Sequence, residues 1–132
     1  MKRGYRVAGL SLMLAAAFAC GSDEPDDGRC GEEVLTFAVT PGLNPTIAWA
    51  PSCGIAQLRV NRNIEGNPEV WSFVAAANSV LPPVTYGQEP LGTTETTAPV
   101  FLLGGESYTV TVAVLDPDSN LLLVVGSAEF VP

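Results

Sequence analysis

Three cysteines carry most of the reactive chemistry this chain can offer. Cys20 follows a run of small residues, Ala17-Phe18-Ala19, while Cys30 and Cys53 lie in the polar and β-rich sequence beyond it. A thiol can be acylated, oxidised to a disulfide, bind a metal or act as a nucleophile. The last two uses lack their usual helpers. There is no histidine, so neither a Ser-His-Asp nor a Cys-His site can be built, and the commonest zinc ligand is missing. Beyond Cys20 there is no lysine for Schiff-base or phosphate chemistry, and no glycine-rich phosphate loop. The 14 acidic residues are scattered, mostly at turns and strand ends, rather than paired as glycoside hydrolysis requires. The chain is expected to be no enzyme and to need no cofactor.

Other groups have a chemical reading and a plainer one. Asp116-Pro117-Asp118-Ser119-Asn120 places oxygen-bearing side chains at alternate positions, as a calcium loop begins. Leu121 stands where such a loop needs glycine, and the composition suits a turn between two strands. Trp71 and Phe73 share one face of a strand; with Tyr86, an exposed Trp71 would make a platform for sugar rings, and a buried one would be core. Arg59 and Arg62 are expected to pair with acids at the surface, where such pairs contribute little.

The N-terminus explains Cys20. Lys2, Arg3 and Arg6 form a basic head, Val7 to Phe18 an uncharged apolar run, and Ala17 to Ala19 a small-residue cleavage site. The run is shorter than the roughly 20 apolar residues that cross a bilayer. With cysteine at the cut, the segment resembles the lipobox of bacterial lipoproteins, in which the new N-terminal cysteine is acylated. Phe18 stands where that family prefers a small residue, and Ala17 where it prefers leucine. A plain secretory cut after Ala19 is the alternative. Outside the cytoplasm two of three cysteines pair, and lipid on Cys20 accounts for the third.

Residues 1–19 are thus expected to be a signal peptide, residues 20–32 the lipidated cysteine with a flexible acidic tether, and residues 33–132 a single domain. The chain after the cut keeps three basic residues, Arg29, Arg59 and Arg62, against all 14 acidic ones, so 3 − 14 = −11. That charge repels nucleic acid and anionic headgroups. Attachment falls to the lipid, for which one acyl chain is marginal and two are stable. Gly21 to Arg29 holds no apolar residue and reaches at most about 30 Å.

From Glu33 onward the sequence reads as β. Strands are expected at 34–40, 46–50, 56–61, 69–75, 84–86, 99–102, 108–115 and 121–130, bounded by Gly, Pro, Asn and Asp. Leu35, Phe37 and Val39 alternate with polar or small neighbours, as do Leu58 and Val60, and Tyr108, Val110, Val112 and Val114. One-sided alternation belongs to antiparallel sheets packed face to face. A hairpin through Pro41–Pro45 would centre near residue 43 and bring Cys53 close to Cys30, a disulfide contributing roughly 3 kcal/mol. Leu121 to Val125 does not alternate: it is either a strand covered on both faces, the leading expectation, or an exposed apolar edge.

Trp49-Ala50-Pro51 and Leu102-Leu103-Gly104-Gly105-Glu106-Ser107-Tyr108 resemble a fibronectin type III domain. The resemblance covers roughly residues 33–132 and departs from the family in the Pro- and Gly-rich stretch 61–99. It implies an all-β, immunoglobulin-like sandwich of about seven antiparallel strands, with Tyr108 as the corner tyrosine, its ring in the core and its hydroxyl on nearby backbone. It implies a scaffold or binding module and no reaction. The expected protein is a lipid-anchored module of the bacterial cell envelope. It would be joined to the membrane by its lipid and bind an envelope protein or polysaccharide, but not nucleic acid. The alternative is a carbohydrate-binding module using Trp71 and Tyr86.

Overall fold

The computed structural model describes residues 28–31 and 33–132. Eight strands and no helix are formed among the described residues: β1 (Thr36–Val39), β2 (Thr46–Ala50), β3 (Gln57–Arg62), β4 (Glu69–Ala75), β5 (Val84–Thr85), β6 (Thr93–Thr97), β7 (Tyr108–Leu115) and β8 (Leu122–Phe130). They make two antiparallel sheets, one of three strands in the order β1-β2-β5 and one of five in the order β6-β4-β3-β7-β8. The all-β sandwich is thereby established.

The hairpin β1–β2 pairs Thr36 with Ala50 and Val39 with Ile47, so its centre falls at residue 43 as expected. Alternation decides which side chains enter the core. Ile47 and Trp49 from the small sheet meet Leu58, Val60, Phe73, Tyr108, Val110 and Val112 from the large one, all buried. Burying side chains of this size contributes roughly 1.5–3 kcal/mol each, the main favourable term in the fold.

Three expectations need correction. Residues 99–102 are not a strand: Val100 N–H reaches Val70 O, but the segment otherwise crosses the end of the sandwich, leaving Phe101 exposed. The missing strand is β6, a Thr-Thr-Glu-Thr-Thr run paired along β4. Lastly, the domain begins before residue 33. Arg29 bridges to Gly54, Gly54 N–H donates to Gly28 O, and Cys30 is fully buried. Residue 54 must be glycine for a different neighbour, since a Cβ there would lie 2.0 Å from the Asn78 carbonyl oxygen.

Candidate functional site

Cys20 lies outside the described residues. Cys30 and Cys53 are joined in a disulfide with Cα atoms 4.8 Å apart. The bridge ties the chain's entry into the domain to the stretch just after β2. Both sulfurs are buried, and Trp49 Nε1 donates to the Cys53 carbonyl at 3.0 Å. This is a structural clamp at the start of the described chain.

The proposed aromatic platform is overturned. Trp71 is 0% exposed and Tyr86 4%. Their rings meet edge to face at 5.2 Å, and Trp71 packs in the same way on Phe73 at 5.4 Å. Trp71 and Phe73 do share a face, as the alternation required, but it is the face toward the small sheet. Neither ring can take a sugar. Their polar ends are also occupied. Trp71 Nε1 donates to Glu95 at 3.2 Å, and Tyr86 Oη donates to the carbonyls of Val100 (2.7 Å) and Val70 (3.1 Å). Burial pushes the Tyr86 hydroxyl up to about 12, because the phenolate would lose its water; the Val100 bond opposes this only in part.

Most acids with resolved contacts serve the fold. Glu69 accepts from Ser72 and Thr97, binding β4 to β6. Glu106 pairs with Arg62 at 3.2 Å, so Arg62 does find a surface acid. Asp116 closes its own turn, accepting from Ser119 Oγ (2.7 Å) and Asp118 N–H (3.2 Å), while Asn120 N–H bonds its carbonyl. These bonds, first that of Ser119, hold the Asp116 carboxyl below its ordinary range, and the charge of Arg29 acts in the same direction. Residues 116–120 therefore form the turn between β7 and β8, as the plainer reading expected.

Apolar surface is open at several places, two of which line recesses at the ends of the sandwich. Far from the disulfide, a recess lies between the β1–β2 hairpin and the 99–101 segment. It is lined by Leu43, Asn44, Tyr86, Pro99, Val100 and Phe101, and Phe101 is 96% exposed. Phe101 is the aromatic that sequence reasoning missed. The signal was its place between Pro99 and the Gly104-Gly105 turn, where a strand assignment was unsafe. At the disulfide end, the start of β8 is bare: Leu121, Leu122, Leu123 and Val124 are all exposed. The leading expectation of a covered last strand is overturned. β8 is the edge of the large sheet, and the small sheet covers it only from Gly126 onward.

Compared with protein-family models, curated proteins and solved structures, the chain matches none. The fold and its surfaces thus carry the functional argument.

Proposed function

We propose that the chain is an exported β-sandwich anchored by lipid on Cys20, with a non-catalytic binding or structural role at a bacterial cell envelope. The observation that carries this reading is the Cys30–Cys53 disulfide. Disulfides persist in oxidising compartments, which suits the export signal at residues 1–19. The pairing also leaves Cys20 as the odd thiol, at the position where a lipoprotein is acylated. The non-catalytic part draws support from the acids whose oxygens are committed to strand pairing, turns and Arg62.

The domain type we favour is fibronectin type III-like. Two features support it. One is the order β1-β2-β5 facing β4-β3-β7-β8, with β6 as an added edge strand beyond β4. The other is Tyr108, whose ring is buried and whose hydroxyl accepts from Leu103 N–H at 2.9 Å. The carbohydrate alternative depended on Trp71 and Tyr86 as an open platform and loses its basis with their burial.

Detergent-phase partition from bacterial cells tests the anchoring. The wild-type chain is expected in the detergent phase, carrying labelled fatty acid, and Cys20→Ser in the aqueous phase without label. A wild-type chain that is aqueous and unlabelled after signal removal would overturn the reading in favour of soluble secretion.

A further inference from the structure

We propose that the bare start of β8, Leu121 to Val124, is a membrane-contacting face that lies side-on in the interface of the bilayer holding the Cys20 lipid. The inference rests on the anchoring reading and adds an orientation to it.

The patch is apolar on both faces of one strand. In the β7–β8 register Leu122 stands opposite Leu115, Leu123 opposite Val114 and Val124 opposite Ala113. Successive side chains on a strand point to opposite faces, so Leu122 and Val124 project from one face and Leu123 from the other. Leu121 is 62% exposed and Val124 61%. A core strand hides at least one face. This one projects past the small sheet, whose Phe37 closes over β8 at Gly126, where a Cβ would lie 3.0 Å from the Phe37 ring.

The position of the chain's entry chooses the occupant. Arg29, Cys30 and Gly31 line the same recess as Leu123, Val124 and Val125. Gly21 to Gly28 is all that separates Cys20 from this point, a span of at most about 30 Å. Once Cys20 is in the bilayer, the patch stays within that distance of the membrane surface. The polar turn Asp116–Asn120 at the tip carries an ionised Asp116 and stays in water, so the strand lies flat rather than entering end-on. Charge narrows the lipid. Residues 33–132 hold Arg59 and Arg62 against nine acidic residues, so 2 − 9 = −7; that charge favours zwitterionic over anionic headgroups and opposes a second copy at this edge.

The test uses the chain from Cys20 onward, which holds every described strand and the whole core. Its Cys20 thiol is coupled to a maleimide lipid in phosphatidylcholine vesicles with brominated acyl chains. Coupling is chemical, so the result stands whether or not cells acylate Cys20. Leu122→Trp reports the patch and Phe101→Trp the opposite end; native Trp49 and Trp71 are buried and give a constant background. The added indole of Leu122→Trp is expected to lose more than about half its emission, as befits an apolar face buried several ångströms into the interface. That of Phe101→Trp should lose little. Adding Val124→Asp should abolish the loss while the melting temperature stays within a few degrees. Equal quenching at both ends, none at Leu122→Trp, or a dimer in sedimentation that buries this edge would each overturn the proposal.

Discussion

The two edges of the five-stranded sheet are built on opposite principles. β6 is short and hydrophilic, and Pro90 and Pro99 bracket it. Several of its polar groups are tied down: Thr96 to Ser72, Thr97 to Glu69, Glu95 to the Trp71 indole. β8 is nine residues long, holds neither proline nor a basic residue, and has Glu129 as its one charge. Charges and prolines are the usual means of keeping a strand edge from pairing with other chains. One edge is closed in this way and the other is not, and the open edge begins beside the Cys30–Cys53 bridge. An uncharged apolar edge of this kind is open to contact with another surface.

The comparison can be broken first at the closed edge. Trp71→Ala removes a ring buried against Phe73 and Tyr86 and leaves Glu95 without its indole partner. A loss of about 3–5 kcal/mol is expected in urea unfolding. At the open end, Cys30→Ala with Cys53→Ala is expected to cost about 3 kcal/mol. Hydrogen exchange should then show residues 29–31 opening before β7. Tyr86→Phe takes the hydroxyl donor from the Val100 carbonyl, while the Val70 carbonyl keeps its bond from Val100 N–H, for a loss of about 1–3 kcal/mol. This variant also carries a pH signature. The unfolded hydroxyl ionises near 10 and the folded one near 12, so wild-type stability should fall as pH rises through that window. The fall should be smaller in Tyr86→Phe. Smallest of all, Leu122→Lys or Val124→Lys should change stability by no more than about 0.5 kcal/mol, since water already reaches both side chains. A large loss there would mean that the edge is part of the core and that the contrast is false.

Much of the fold could be read from local pattern. Thr46–Ala50, Glu69–Ala75 and Tyr108–Leu115 were bounded correctly because alternation or turn residues fix both ends. The Cys30–Cys53 bridge followed from the hairpin's centre. β6 was illegible because five polar residues carry no hydrophobic period; only pairing with β4 makes them a strand. Residues 99–102 misled in the opposite way, since apolar content suggested a strand where Val100, bonded through its N–H to Val70 and through its carbonyl to Tyr86, holds an irregular crossing. Trp71 exposes the limit of parity. Alternation groups Trp71 with Phe73 but cannot say which face meets the other sheet. The bareness of Leu121–Val124 was hidden for a related reason. It depends on how far the small sheet extends over β8, which is a property of packing.

The central claim is that Cys20 anchors the domain while Cys30 and Cys53 clamp it. Intact mass of the protein from membranes of bacterial cells, with and without reduction before thiol alkylation, tests this most directly. The account predicts a chain beginning at Cys20, heavier by its acyl groups, that takes up no alkylating agent until reduced and then takes up two. A chain beginning at Cys20 without lipid, alkylated at one thiol before reduction, would contradict the anchoring. Three reactive thiols would contradict the clamp as well.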